Sequence, residues 1–282
     1  MDASHTRQMA AQALDRLMAE VEAGHSGQLK AYLAMLARFH RYSWGNVLLI
    51  GMQFPTAQQV AGYRAWQRLG RQVRQGEKAI RILAPIVRRK ELEDQDTVVA
   101  FRSASVFDVS QTEGKRLPTF AEIRGDPGLC LDRLKALVAR KRIKLSYSGG
   151  LGPADGLSGG GQIVLRAGLD AAAEFSVLAH ELAHEMLHRN EPGTPGSRTV
   201  RETEAEAVAF IVCQAIGMES GSASSDYVQL YQGRKETLVA SLERIQRAGT
   251  EIIAGILPRA PDADTGEPAA AAGWTGTPSE AA

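Results

Sequence analysis

The chain has 282 residues, 44% hydrophobic and 23% charged, an ordinary globular composition with room for one large domain or two small ones. Cys130 and Cys213 lie far apart and form no Cys-x-x-Cys pair, which speaks against a disulfide framework and fits a reducing cytoplasm. No apolar run approaches a membrane span and Met1–His5 carries no signal-peptide pattern, so a soluble, cytoplasmic protein with no membrane partner is expected.

The net charge of +1 hides an asymmetry. Arg38 to Lys90 holds eleven Lys/Arg and one carboxylate, Glu77, so that segment is near +10 and the remainder strongly acidic. Such a division suggests a polyanion-binding part joined to a neutral or acidic one.

Residues 5 to 40 have helical periodicity, with one apolar stripe on Met9, Ala13, Leu14 and Leu17 and another on Leu29, Leu33, Leu36 and Phe39, broken near Gly24 and Gly27. Asn46 to Met52 is a short apolar stretch ended by Pro55, and Ala57 to Leu69 is expected to be helical. Val73 to Pro85 suggests a hairpin turning at Arg74–Glu77, and Val87–Lys90 with Thr97–Val106 suggests a second around the polar residues 91–96. Gln111 to Gly128 has the composition of a linker, and Leu129 to Arg140 that of a helix. Ser148 to Gly161 contains seven glycines and is expected to be loop, followed by a short strand at Gln162–Arg166. Asp170 suits the N-cap of the next helix, with Glu174 near its positive end. Residues 190–196 must break that helix; Thr199–Gly217 and Tyr227–Gln246 are the last two helices, and a disordered tail is expected from Pro258. The expected class is α+β: a small basic α+β domain at 5–110, a linker at 111–128, a mainly helical domain with a small sheet at 129–257, and a tail at 258–282.

The densest chemical signal is His180-Glu181-Leu182-Ala183-His184, an HExxH pattern within an apolar-periodic run. Residues four apart share a helix face, so His180 and His184 can direct two imidazoles at one ion, with Glu181 placed to act as general base on water activated there. No glycine turn with a third histidine follows, which disfavours the metzincin arrangement, and a glutamate on a second helix is the alternative. Arg201-Glu202-Thr203-Glu204-Ala205-Glu206 opens such a helix, and carboxylates embedded in an apolar helix are costly to bury without cations. Glu202 and Glu206 share a face, whereas Glu204 lies about 200° round from Glu202. Glu202 is therefore assigned as third ligand to Zn2+, or another divalent ion such as Mn2+, and Glu206 as the group orienting a ligand histidine; Glu204 is the alternative ligand. His188 lies two turns from His180, too far to share the ion, and is expected to close the helix or pack beneath the site. Strand 162–166 could pair with an extended peptide substrate.

In the basic segment aromatics and cations interleave: Phe39, Arg41, Tyr42, Trp44, Tyr63, Arg64, Trp66, Arg68, Arg71, Arg74, Lys78 and Arg81. Single-strand binders combine aromatic platforms with a cationic track. Trp44 and Trp66 suit either that role or the core.

Both halves resemble one family. Tyr42-Ser43-Trp44-Gly45-Asn46-Val47-Leu48-Leu49-Ile50 and the run Gly62 to Ile80, with its Gly76-Glu77-Lys78 turn, resemble the N-terminal single-stranded-DNA-binding domain of ArdC-type antirestriction proteins. The HELAH helix and the Arg-Glu-x-Glu-Ala-Glu helix are similar to that family's zincin domain and to ImmA/IrrE-type metallopeptidases, so the resemblance covers roughly residues 5 to 255. It implies a two-domain protein of mobile elements or their hosts, with single-stranded DNA as partner and a gluzincin-like metal site acting on an unknown peptide or protein. The family's Glu-x-x-Ala-Glu pattern falls on Glu202 to Glu206. Candidate DNA contacts are then Arg41, Tyr42, Trp44, Asn46, Tyr63, Trp66, Arg71, Arg74 and Lys78. Gln75 stands where the family often has Lys, and the spacer between the domains is short. Two other functions fit the same residues: a regulatory zinc protease cleaving a DNA-bound repressor, and a non-enzymatic DNA-binding module with a structural metal. A structural site would need a fourth protein ligand, and beyond His188, too far to share the ion, no further His lies nearby in sequence.

Overall fold

The computed structural model describes residues 2–25, 27–88, 97–116, 126–189, 198–218 and 235–258. The fold is α+β. Its described residues divide into two compact units, one of 2–19 and 41–116, the other of 20–40 and the residues from 126 on. The expected linker residues 117–125, the helix-breaking stretch 190–196 and the tail from 259 lie outside the described residues, as do residues 91–96.

In the first unit α1 (Ala3–Glu22) presents Ala10 to Leu49 of α3 (Trp44–Gln53) and Leu83 of β3 (Ile80–Arg88), with Met9, Met52 and Phe101 around them. The apolar stretch expected at 46–52 is thus a helix, and Ser43 caps it by accepting from the Asn46 N–H. β3 pairs antiparallel with β4 (Thr97–Asp108), from Ile80 opposite Val106 to Arg88 opposite Thr97, so the expected hairpin around residues 91–96 forms and is longer than its pattern suggested.

Two expectations fail here. Val73–Pro85 is not a hairpin: β2 (Arg71–Val73) pairs with β5 (Thr112–Gly114), and β3 with β4, so Arg74–Glu77 connects two sheets. Ala57–Leu69 is helical only over α4 (Tyr63–Arg68); Val60–Gly62 is strand β1, paired with β4. The reason is tertiary. The buried Asp108 carboxylate accepts from the Gln58 and Gln59 N–H groups at 2.7 and 3.2 Å, holding that backbone extended.

In the second unit α2 (Gly27–Arg38) buries its expected stripe, Leu29, Leu33 and Leu36, and packs on α7 (Arg198–Ala215). The Thr250 hydroxyl of α8 (Lys235–Ile256) donates to the His40 carbonyl. Residues 20–40, read from sequence with the basic domain, therefore belong to the second unit. α5 (Leu129–Arg140) packs on α8, and α6 (Ala171–Leu187) on α7. A three-stranded sheet, in the order β6 (Lys144–Ser148), β8 (Gln162–Arg166), β7 (Gly156–Gly159), lies beside α6. β7 falls in the glycine-rich stretch expected to be loop; its pairing with β8 supplies the order its own residues lack. β6 and β7 occupy both edges of β8, so strand 162–166 cannot accept a further strand as expected; the free edges belong to β6 and β7.

Among the described residues no helix is long and apolar enough to cross a membrane. Cys130 and Cys213 are buried free thiols.

Asn46 brackets α3 to β3: its amide donates to the Leu83 carbonyl at 2.8 Å and its oxygen accepts from the Leu83 N–H at 2.9 Å, all buried. Asn46→Ala leaves both backbone groups without partners and should cost about 1–3 kcal/mol, measured as a shift of the urea midpoint at unchanged slope.

Candidate metal centre

α6 forms where expected: Asp170 caps it by accepting from the Ala173 N–H at 2.8 Å, and Phe175, Leu178, Ala179 and Leu182 turn its apolar face inward. The opposite stripe carries His180 and His184, and α7 brings Glu202 to them. The three offer ligand atoms that lie within 4.8 Å of one another. His180 Nε2 and His184 Nε2 are 3.1 Å apart, and Glu202 Oε2 is 3.6 and 3.3 Å from them. Glu202 is half-exposed, at the mouth of the site.

Behind the three lies a second layer. Glu206 Oε2 sits 3.4 Å from His180 Nδ1, which favours the proton on Nδ1 and turns the Nε2 lone pair toward the site. On the other side His188 Nδ1 faces His184 Nδ1 at 3.1 Å, and His188 Nε2 faces Glu204 Oε2 at 3.0 Å. Glu204 is fully buried and bound by the Arg244 guanidinium and by the Ser241 hydroxyl at 2.6 Å. It is turned away from the His180–His184 pair, so the alternative of Glu204 as a ligand does not match its position. The sequence offers no role here for Ser241 and Arg244 of the distant α8, and for His188 only closing the helix, which it does as the C-cap, or packing beneath the site. The spacing of four that joins His180 to His184 also joins His184 to His188, and that signal was available.

The electrostatics of the two histidines diverge. Burial acts to lower the His180 pKa, but the hydrogen bond with Glu206 and the charges of Glu181, Glu206 and Glu202 outweigh it, and the imidazole sits above its ordinary value. Burial and then the neighbouring His180 push His184 down to about 4. Two nitrogens and a carboxylate converging within 4.8 Å make a donor set that suits a divalent ion such as Zn2+ or Mn2+, with Glu206 and His188 against the rings.

Glu181 points to the sheet side. Burial is the first cause that raises its pKa, against a hydrogen bond from Ser158 of β7. β7 passes so close that a Cβ on Gly156 would lie 2.6 Å from Val177 Cγ1 and 2.8 Å from Glu181 Cγ and Oε1. A cavity of about 910 Å³ is lined by β7, by Glu181, His180 and His184, and by Glu202.

The proposed DNA contacts divide. Trp44 and Trp66 are each 2% exposed, and Trp66 Nε1 donates to the Phe107 carbonyl. Neither ring presents a face to a base. Asn46 is consumed by Leu83, Tyr42 donates to the Val60 carbonyl at 3.1 Å, and Arg71 is spent on Thr112 and the Lys115 carbonyl. Arg74 is exposed and paired with Glu77, while Arg41, Tyr63 and Lys78 are exposed.

The first unit is α+β, and the second gathers His180, His184 and Glu202. Residues 7–119 match the family model of the N-terminal domain of the anti-restriction factor ArdC. The structure is similar to crystal structures of the antirestriction ArdC protein from the R388 plasmid, metal-free and Mn(II)-bound, at TM-scores of 0.52 and 0.53 and 20% identity, covering 89% of this chain and 99% of that one. The likeness thus covers the N-terminal domain by family model and the fold by structure. It is also 27% identical over 241 residues to an uncharacterized Bacillus anthracis protein; the match takes in 68% of this chain and 41% of that relative, so the chain spans less than half the relative's length.

The contact at Gly156 carries a measurable consequence. Gly156→Ala must displace β7 from α6 and should cost about 1–3 kcal/mol. Gly159→Ala, whose added carbon meets nothing within 4 Å, should stay within about 0.5 kcal/mol of wild type. Urea midpoints of the two variants decide it.

Proposed function

We propose that this is a DNA-protecting protein of the antirestriction type, which binds single-stranded DNA through its first unit and holds a divalent metal in a peptidase-like cleft in its second. The observation that carries the reading is the match of residues 7–119 to the ArdC N-terminal domain on a chain that also gathers His180, His184 and Glu202.

For the DNA face, the buried aromatics leave Tyr63, 43% exposed, as the stacking candidate, with Arg41, Arg64, Arg68, Arg74 and Lys78 exposed as cations for phosphates. For the cleft, a bound divalent ion would polarise a carbonyl and acidify water. Glu181, with its raised pKa and its place beside the ligand set, is suited to take a proton on its carboxylate and return it to a leaving amine. The free edge of β7 along the cavity favours an extended peptide as substrate, since a strand there could pair with it in the antiparallel or parallel sense.

The DNA reading is tested by titrating single- and double-stranded oligonucleotides across salt. Wild type should prefer the single strand. Tyr63→Ala should weaken it by about 1–3 kcal/mol, and Lys78→Ala should reduce the salt slope by about 0.7. Equal, weak binding to both forms by the wild type would remove the reading. The cleft is tested separately with a fluorogenic peptide library. Glu181→Gln should abolish cleavage while retaining bound metal, and undiminished cleavage would sink Glu181 as the base.

A further inference from the structure

We propose that His188 is a positioning residue for the metal centre: it fixes the ring proton of His184, and Glu204, anchored by Arg244 and Ser241, fixes that of His188. The inference rests on the metal reading of His180, His184 and Glu202 and goes beyond it by naming what makes His184 a ligand.

The argument follows the direction of each hydrogen bond. A carboxylate only accepts. Glu204 is fully buried, and its Oε1 takes hydrogen bonds from Arg244 Nε at 3.1 Å, from Arg244 Nη2 and from Ser241 Oγ at 2.6 Å. Its Oε2 faces His188 Nε2 at 3.0 Å, so His188 must donate there. For His184 to offer Nε2 to a metal its own ring proton must sit on Nδ1, which faces His188 Nδ1, so that His188 nitrogen must accept. His188 Nδ1 is then a lone pair. It faces His184 Nδ1 at 3.1 Å, so His184 must donate in turn, and His184 Nε2 becomes the lone pair directed at Glu202 and His180. One buried carboxylate thus sets two tautomers in series. The rings are held tightly enough for this to matter, because the side chain of His188 is only 6% exposed and cannot exchange its partner for water.

The same metal site is approached differently from its two sides. Glu206 acts on His180 directly, at 3.4 Å, from a partly exposed position one turn beyond Glu202. His184 has no carboxylate of its own on Nδ1, and the one that serves it lies one ring further away, in the core where α6, α7 and α8 meet.

The test titrates Zn2+ against a chromophoric chelator for wild type, His184→Ala, His188→Leu and His188→Gln, with the melting temperature of each metal-free protein. Leu keeps the volume and removes both ring nitrogens. Gln can accept from His184 and donate to Glu204. His188→Leu should bind Zn2+ about 10- to 100-fold more weakly, and His188→Gln should recover most of that loss. Affinity in His188→Leu equal to wild type, with His184→Ala unable to bind, would overturn the relay and leave the metal reading standing. Affinities that track the melting temperatures, with no rescue by Gln, would reduce His188 to packing and overturn it too. A wild type that binds no Zn2+ would remove the metal reading and the relay together.

Discussion

The second unit is organised around one buried charge. Glu204 has no exposure to water, and a carboxylate in that position is tolerated only when each oxygen finds donors. It finds them on the two helices packed against α7: on His188, which caps α6, and on Ser241 with Arg244 of α8. Those bonds overcome the tendency of burial to raise the Glu204 pKa and hold it below the ordinary carboxylate value. They also specify how the helices must meet. A slide of α7 by one residue would rotate Glu204 out of the core by about 100° and carry Glu202 away from α6 with it. The geometry of the candidate ligands is therefore tied to a residue that is not one of them.

The first unit shows the same economy in a different form. Residues whose chemistry suits nucleic acid are largely committed to the fold: Asn46 splices α3 to β3, Trp66 bonds to β4, and Arg71 closes the β2–β5 pair by reaching Thr112 and the Lys115 carbonyl. A tight backbone approach at that pair adds to the constraint, since Gly114 lies so near Gly70 that a side chain there would strike its carbonyl oxygen. The binding capacity that remains is the exposed residue set around α4 and the Arg74–Lys78 turn. Its excess charge comes from cations that have a single carboxylate, Glu77, among them.

What could be read from sequence follows the range of the interactions. α6 was legible to its cap because Asp170, the apolar stripe and the HExxH spacing are all local. The β3–β4 hairpin was legible because both strands flank one polar turn. β1 and β2 were not, because their partners lie some forty residues on and the device that holds β1 extended, the Asp108 carboxylate, is in another element. Helical phase separated Glu202 and Glu206 from Glu204, but not which face met the histidines; α8 supplied that answer by offering Arg244 and Ser241 to Glu204. The burial of the two tryptophans was equally undecidable, since an aromatic beside an arginine has the same local signature in a core as on a binding face.

The contact of Glu206 with His180 gives the site a built-in antagonism. Glu206 makes His180 a better ligand by increasing its basicity, and by the same interaction makes it hold a proton more firmly. A metal competes with protons for His180, so affinity and pH are linked through the residue that strengthens the ligand. On the other side the arrangement is different. His184 is pushed down to about 4, and its orienting partner is a second imidazole rather than a carboxylate. Two carboxylates placed directly on both histidines would raise both pKa values and set two protons against the metal. Placing the buried charge one ring away keeps the tautomer fixed while sparing His184 that competition, which is a physical reason for an intervening histidine at position 188.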